Sequence, residues 1–217
     1  MLVRDRMTPD PICGNPEMPV TEVQELMRQK KFRHLPIIDE DGHLMGLVTQ
    51  RSLLRALPSD VSGFSRFEIS YILAKIKAKD VMTKDVITID EDMAIEEAAR
   101  IMADQKIGCL PVCDGEKMVG IITDNDLFAV MVDLMGGRRS GIRMTLKQPD
   151  RAGEIARLTT AIAKESGFLS VIVGYPGKET GTWISVCKVT NLNVEKLKEI
   201  VDSLVDTYLL DIREATA

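Results

Sequence analysis

The apolar and polar positions of the N-terminal part of the chain repeat one pattern twice. Each copy has a Met-Thr pair, apolar residues at the three- and four-residue spacing of an amphipathic helix, a Leu-Pro pair, a glycine and a threonine. The copies begin at Met7 and Met82, 75 residues apart, and the offset falls to 74 at Gly46 and Gly120 because the second turn is one residue shorter. A duplication of this kind predicts two similar units packed face to face, with a cleft between them that suits a ligand.

Within each copy the pattern predicts the order strand, helix, strand, strand, helix. In the second copy, the β-branched segment 86–89 predicts the first strand. An acidic run follows it, as suits a helix N-terminus, and then the apolar spacing of the first helix. Residues 110–113 and 118–122 then indicate a hairpin closed by an Asp-Gly turn, and a last helix over 127–134 follows a cluster of capping residues. We expect a connecting loop and helix between the copies, with Tyr71, Ile72 and Ile76 buried.

A different pattern begins after the glycine-rich segment 136–141. Ile142, Met144 and Leu146 alternate with polar residues, as in a half-buried strand, and later segments predict helix, strand, strand, helix and strand. The fold class is therefore α/β and α+β, with β-α-β-β-α repeats and a ferredoxin-like βαββαβ unit. The predicted divisions are repeat 1, connecting segment, repeat 2, linker and C-terminal domain, at residues 1–60, 61–77, 78–136, 137–141 and 142–217.

Composition narrows the class of protein. The chain is 45% apolar and 28% charged, which indicates a folded globular protein, and its net charge of -5 disfavours nucleic-acid binding. No apolar run approaches ~18 residues, so no membrane span is expected. The four cysteines are few and scattered, and the first residues lack an apolar signal segment, so we expect reduced thiols and a cytoplasmic location.

The duplicated segment resembles a pair of cystathionine-beta-synthase-type (CBS) domains, over roughly residues 1 to 136. Its most specific part is the run Gly-Ile-Ile-Thr-Asp-Asn-Asp-Leu at 120–127. The resemblance implies a regulatory module that binds AMP, ADP, ATP or an adenosyl compound and self-associates as a homodimer or higher homo-oligomer. The segment from about 141 resembles an ACT domain, although Asp-Arg-Ala-Gly at 150–153 lacks the proline usual before the glycine. The combination is similar to acetoin-utilisation-type regulatory proteins.

Asp126 is the first candidate binding residue. An ionised carboxylate can accept hydrogen bonds from both hydroxyls of a ribose, and Thr123 places a hydroxyl nearby. The alternative is that Asp126 and Thr123 only cap the last helix. The matching positions of the first repeat are Thr49 and Ser52, and serine lacks the charge of the carboxylate.

The resemblance implies that each repeat completes its site with residues of the other. The site with Thr123 and Asp126 would then include Ile12, Cys13, Gly14, Val20, Leu35 and Pro36. The mirror site would combine Thr49 and Ser52 with Ile87, Thr88, Ile95, Leu110 and Pro111. We expect the first site to be strong and the second to be weak or empty.

Two further groups are candidates for ligand contacts. Arg33 and His34 form a basic pair beside the first Leu-Pro strand and would attract phosphate, unless they belong to a solvated helix end. In the C-terminal domain, the possible effector loop consists of Asp150, Arg151, Gly153 and Glu154. The alternative for that domain is dimerisation alone.

Enzymatic chemistry has little support in the sequence. The two histidines, His34 and His43, show no metal-ligand spacing with cysteines or acids, so no metal site is expected, and no phosphate-binding loop or nucleophile elbow occurs. The leading hypothesis is a non-catalytic sensor of an adenine nucleotide, without a catalytic cofactor. The alternatives are a ligand-free dimeric scaffold for a partner enzyme or regulator and, less favoured, an enzyme of nucleotide or acetoin metabolism.

Overall fold

The computed structural model describes residues 1–55 and 75–216, which form two compact units, Met1–Leu127 and Phe128–Ala217. The predicted connecting segment 61–77, with Tyr71 and Ile72, falls almost entirely outside the described residues. Within the described ranges, no helix is both long and apolar enough to span a lipid bilayer. All four cysteines are free thiols.

The first repeat has the predicted hairpin and helices. A 3-10 turn at Val3–Asp5 and strand β1 (Thr8–Pro9) precede helix α1 (Val20–Lys30), strands β2 (His34–Ile38) and β3 (Leu44–Thr49), and helix α2 (Gln50–Arg55). Strands β2 and β3 pair antiparallel, with Leu35 opposite Val48. The apolar face of α1, with Val20 and Val23, packs on the buried side chains of this hairpin.

The second repeat has a similar order, except that no strand in its described residues matches β1. It consists of helices α3 (Ala78–Val81) and α4 (Ile95–Gln105), strands β4 (Cys109–Asp114) and β5 (Lys117–Thr123), and helix α5 (Asp124–Leu134). The strand predicted at 86–89 is not formed. Only Ile89 pairs with a neighbour there. It accepts a backbone hydrogen bond from the Cys113 N–H and donates one to the Pro111 carbonyl oxygen, both in β4. Gly14 makes the equivalent single bridge with Ile37 in the first repeat.

The first residues of each repeat form backbone hydrogen bonds with the hairpin of the other repeat. Thr8 in β1 pairs with Ile121 in β5, and Thr83 exchanges two 2.9 Å backbone hydrogen bonds with Leu47 in β3. The glycine of each hairpin permits this approach, since a Cβ on Gly46 would lie 2.7 Å from the Thr83 carbonyl oxygen. The repeated Met-Thr and glycine positions therefore form one contact between the repeats.

The C-terminal unit has the predicted βαββαβ order. Its elements are β6 (Gly141–Pro149), α6 (Glu154–Lys164), β7 (Phe168–Pro176), β8 (Thr182–Thr190), α7 (Val194–Asp202) and β9 (Tyr208–Ala215). The four strands form one antiparallel sheet in the order β7-β8-β6-β9. Alternate residues of β6, including Met144 and Leu146, are fully buried in the same core as Leu158 of α6 and Leu197 of α7. The division between the two units falls within α5, before the glycine-rich segment where the sequence predicts it.

Candidate functional site

Two of the cavities between the repeats of the first unit contain the candidate residues Asp126 and Ser52. The first, called the Asp126 cavity, has a volume of about 370 Å³ and is lined by Thr8, Pro11, Ile12, Lys31, Phe32, Arg33, His34, Pro36, Ile121, Thr123, Asn125 and Asp126. The second, called the Ser52 cavity, has a volume of about 470 Å³ and is lined by Arg33, His34, Leu47, Thr49, Gln50, Arg51, Ser52, Arg55, Thr83, Asp85, Val86, Ile87, Lys106, Ile107, Gly108 and Cys109. Both volumes lie in the range of small-molecule sites.

The two cavities are copies of each other. Of the twelve described residues that line the Asp126 cavity, eleven have a counterpart around the Ser52 cavity, at the 75- or 74-residue offset of the repeats. Thr8 corresponds to Thr83, for example, and Asp126 corresponds to Ser52. The exception is Pro36, whose counterpart does not line the second cavity. The sequence duplication has therefore produced a duplicated cavity.

Asp126 and Thr123 meet at the junction of β5 and α5. The Asp126 Oδ2 accepts hydrogen bonds from the Thr123 backbone N–H at 2.8 Å and from its hydroxyl at 2.7 Å. This is a cap of the kind that the alternative interpretation requires. Within the described residues, Asp126 Oδ1 makes no hydrogen bond, so the half-buried carboxylate keeps a free acceptor at the cavity.

Ser52 and Thr49 repeat this junction without the charge. The Ser52 hydroxyl accepts from the Thr49 backbone N–H at 2.9 Å and donates to the Thr49 carbonyl oxygen at 2.9 Å. Its one proton is used in that bond, and it carries no negative charge. The two junctions thus have the same cap and different chemistry at the cavity.

Arg33 lines both cavities, and so does His34. The Arg33 Nη2 lies 2.8 Å from Oδ1 of Asp124, in an ion pair that joins the two repeats. Burial, with a smaller contribution from the Arg33 charge, lowers the pKa of His34 below its ordinary value of 6.5. His34 is therefore neutral at neutral pH and adds no positive charge to either cavity.

Several residues predicted for the sites lie elsewhere. Leu35 is fully buried and belongs with Val20 to the core beneath α1, while Gly14 packs against Leu35 and Ile37. Side chains of successive strand residues point to opposite faces, so Leu35 and Pro36 cannot both face one cavity. Cys13 does not line the Asp126 cavity, and its thiol lies 3.2 Å from the Pro11 carbonyl oxygen.

The residues predicted for the mirror site are divided in the same way. Thr49, Ser52 and Ile87 line the Ser52 cavity, but four other predicted residues do not. Leu110 and Ile95 are core residues, and Pro111 is buried in β4. Thr88 lies in another depression, with Asp39 and His43.

Some cavity residues escaped the sequence prediction. Thr8 and Thr83 belong to the repeated Met-Thr pairs and line the two cavities, but they were not among the residues predicted for either site. Lys31 and Lys106 end helices α1 and α4 in the left-handed conformation, with φ of 59° and 55°. Arg51 and Arg55 of α2 line the Ser52 cavity and carried no signal beyond their charge.

No activated cysteine faces either cavity within the described residues. Burial, with a smaller contribution from the Asp124 charge, raises the pKa of the Cys109 thiol to about 12, while the Arg33 charge acts in the opposite direction. The nucleophilic thiolate is therefore almost absent at neutral pH. Burial also raises the pKa of Cys13.

The predicted effector loop of the C-terminal unit is internally paired. Gly153 has a φ of 93° and precedes α6, as the turn requires. The Glu154 carboxylate, which is 5% exposed, accepts from Arg151 Nε at 2.7 Å and from Arg157 Nη1 at 2.8 Å. Its charge is thus already neutralised, and Asp150 is exposed beside it.

The structure also brings together a group that the sequence spacing did not indicate. Ligand atoms of Asp39, Asp41 and His43 lie within 4.8 Å of one another in the turn between β2 and β3. Asp39 Oδ1 accepts from the backbone N–H groups of Asp41 and His43, and Oδ2 lies 3.1 Å from His43 Nδ1. The hydrogen bonds within this group account for it as a turn.

Comparison with known proteins places this geometry in context. The family model described as CBS domain matches residues 3–59 and 78–133. A Vibrio cholerae crystal structure named for acetoin utilization (AcuB) is 32% identical, with a TM-score of 0.54 over 63% of this chain and 93% of that one. The structure of CBSX2 in complex with AMP is 28% identical, with a TM-score of 0.53 over 61% of this chain and 97% of that one.

A third solved structure carries two adenosyl ligands. The CBS domain pair of protein MJ0100, in complex with 5'-methylthioadenosine and S-adenosyl-L-methionine, is 26% identical, with a TM-score of 0.51 over 61% of this chain and 97% of that one. The chain spans 24%, 45% and 58% of the length of three curated relatives, the first being the L-aspartate semialdehyde sulfurtransferase of Methanocaldococcus jannaschii, 29% identical over 64% of this chain.

Proposed function

Since the chain belongs to the CBS domain family, we propose that it is a non-catalytic regulatory protein that senses an adenine nucleotide between its two repeats. The observation that carries the proposal is the Asp126 carboxylate at a cavity of about 370 Å³. Asp126 Oδ1 makes no hydrogen bond within the described residues and is available to accept from the hydroxyls of a ribose.

The walls of the Asp126 cavity suit the rest of a nucleotide. Ile12, Phe32 and Ile121 offer apolar surface to a purine ring, and Ile12 is 45% exposed in the absence of ligand. Covering that surface with a base removes it from water and favours binding. Lys31 and Arg33 supply positive charge for a phosphate.

The ligands of related CBS pairs support the same class of molecule. CBSX2 holds AMP, and the MJ0100 pair holds two adenosyl compounds. AMP, 5'-methylthioadenosine and S-adenosyl-L-methionine all contain adenine and ribose, and they differ in the group attached to the 5' carbon of the ribose. We therefore propose adenosine as the recognised part, with AMP, ADP, ATP or an adenosyl compound as the regulatory ligand.

Regulation requires that the ligand distinguish two arrangements of the repeats. The cavities lie where residues from both repeats meet, as with Ile12 and Asp126, so closing on a ligand changes contacts on both sides. A nucleotide shifts such an equilibrium only by its difference in affinity for the two arrangements.

We assign the C-terminal unit to dimerisation or to a second effector, as an ACT-type domain. Its βαββαβ order supports the assignment, and the paired charges of Arg151 and Glu154 favour a structural role for the loop. A homodimer is also supported by α5, where Phe128, Met131 and Leu134 follow helical spacing and are each more than 50% exposed. The same apolar face is what a scaffold for a partner enzyme or regulator would use.

The proposal is tested by titration calorimetry of the full chain with AMP, ADP, ATP, 5'-methylthioadenosine and S-adenosylmethionine. We expect at least one of them to bind saturably, with GMP as a control for the base. If none binds at millimolar concentration, the chain is not an adenine-nucleotide sensor.

A further inference from the structure

We propose that the two cavities sort adenine nucleotides by phosphate charge. The Ser52 cavity takes a ligand with two or three phosphates, and the Asp126 cavity takes one with a single phosphate or none. This inference rests on the proposed function and adds the ligand class of each site. It replaces the expectation of one strong and one weak site with two sites of different preference.

The two cavities differ in charge at three matching positions of α2 and α5. Arg51 of α2 stands where α5 has Asn125, and Ser52 stands where α5 has Asp126, both at the 74-residue offset. One turn further along α2, Arg55 lines the Ser52 cavity, and the residue 74 positions later is Ala129. All three differences make the Ser52 cavity more positive.

The resulting charges of the two cavities are unequal. Among the described residues, the Asp126 cavity has the cations Lys31 and Arg33 and one carboxylate. The Ser52 cavity has four cations, Arg33, Arg51, Arg55 and Lys106, and also one carboxylate, Asp85. The added cations are both arginines, whose guanidinium groups bind phosphate oxygens through paired hydrogen bonds.

The cations of the Ser52 cavity other than Arg33 are available to a ligand. In the part of the chain that the structure describes, no carboxylate lies within 4.0 Å of a side-chain nitrogen of Arg51, Arg55 or Lys106, whereas Arg33 is paired with Asp124. All three side chains are exposed, so their charges are not balanced by burial against an acid. A polyphosphate would meet these groups without first breaking an ion pair.

The two recognition elements are therefore divided between the cavities. The Asp126 cavity has the charged acceptor for the ribose and fewer cations, so adenosine itself contributes most of the binding there. The Ser52 cavity lacks that acceptor, because the Ser52 hydroxyl is bonded to Thr49, and must gain affinity from phosphates. Its larger volume, about 470 Å³ against about 370 Å³, suits the longer ligand.

The test replaces two residues of α2 by the residues at the matching positions of α5. The double variant Arg51→Asn, Arg55→Ala carries at α2 the residues found at the matching positions of α5. Full-length wild-type and variant proteins are titrated with ATP and, separately, with AMP, without added divalent cations. Lys31→Ala, which removes a cation from the other cavity, is the matched control.

We expect the double variant to lose at least about tenfold in ATP affinity at one site, the effect of removing charge-assisted hydrogen bonds, and to keep its AMP affinity. Lys31→Ala should keep the strong ATP site. Unchanged ATP affinity in the double variant, or an equal loss for AMP and ATP, overturns the inference but does not overturn the proposed function, because the wild type still binds a nucleotide. A wild-type protein that binds no nucleotide overturns the proposed function and this inference with it.

Discussion

Arg33 of the first repeat and Asp124 of the second form an ion pair, with 2.8 Å between Nη2 and Oδ1, and Arg33 also lines both cavities. The two side chains are 51% and 33% exposed, so the pair contributes under ~1 kcal/mol to stability. Because Arg33 lines both cavities, we propose it as a shared contact for an anion in either one.

Replacing Arg33 by alanine should therefore affect binding more than folding. We expect the free energy of unfolding in urea to change by under ~1 kcal/mol and AMP and ATP affinities to fall together. Arg28→Ala is the matched control, because Arg28 forms an exposed ion pair with Glu25 and lines neither cavity. Wild-type affinity in Arg33→Ala would show that the shared position has no role in binding.

Asp126→Ala should weaken AMP binding by about 1.5 to 3 kcal/mol, the range for hydrogen bonds to a charged group. Ser52→Ala should have a much smaller effect on AMP, because Ser52 provides no charge. Calorimetric titration measures both. Equal effects of the two substitutions on AMP binding would refute the assignment of the ribose acceptor.

The cap at Thr123 complicates that comparison and suggests its control. Asp126→Ala also removes two hydrogen bonds to Thr123, at a cost of about 1 kcal/mol in folding stability. Asp126→Ser instead copies the Thr49–Ser52 junction of the first repeat, keeping a cap without the carboxylate. We expect Asp126→Ser to melt closer to wild type than Asp126→Ala and to lose AMP affinity to a similar extent.

His34 should make the fold less stable in mild acid. Burial and the neighbouring Arg33 lower its pKa below 6.5, with Asp124 acting in the opposite direction, so the unfolded chain takes up a proton at higher pH than the folded one. The free energy of unfolding is then largest above pH 6.5 and falls as the pH drops through 6.5 towards the folded-state pKa.

Denaturant unfolding of wild type and His34→Gln at about pH 7.5 and about pH 5.5 measures this contribution. The variant should lose less stability than wild type between the two values. His43→Gln is the control for the other histidine, which lies in the β2–β3 turn. An identical pH dependence in His34→Gln and wild type would show that His34 is not held neutral by the fold.

Leu35 and Ile12 were predicted for the same site and should behave differently. Leu35 is fully buried, so Leu35→Ala should cost about 2–5 kcal/mol in stability without a direct loss of AMP affinity. Ile12 is 45% exposed at the Asp126 cavity, so Ile12→Ala should weaken AMP binding by about 1 kcal/mol and hardly affect folding. Chemical unfolding and calorimetry on both variants separate the roles, and the reverse pattern would contradict the placement of Leu35 in the core.

The periodicities that predicted the fold are properties of local sequence. The helical spacing at Val20 and Val23 and the alternation at Met144 and Leu146 arise from the faces that these residues bury, and the structure has helices and strands there. The strand predicted at 86–89 is absent although β-branched residues favour extended backbone, because only Ile89 of that segment has a pairing partner.

The site was predictable only where the repeats carry a local signal. Thr123 and Asp126 form their junction within four residues, so their spacing predicts it. Lys106 and Arg55 reach one cavity from separate elements, and single exposed cations at such separation have no pattern in the sequence. A Leu-Pro pair does not reveal which of its two residues faces the core, and the structure buries Leu35 there.

Whether the Asp126 carboxylate binds the ribose of an adenine nucleotide can be measured in one calorimetric comparison. AMP and 2'-deoxyAMP are titrated into wild type and into Asp126→Ser. We predict that wild type binds AMP about tenfold or more tightly than 2'-deoxyAMP, and that this preference largely disappears in the variant. Equal affinity of wild type for the two nucleotides, or the same preference retained in Asp126→Ser, would contradict the claim.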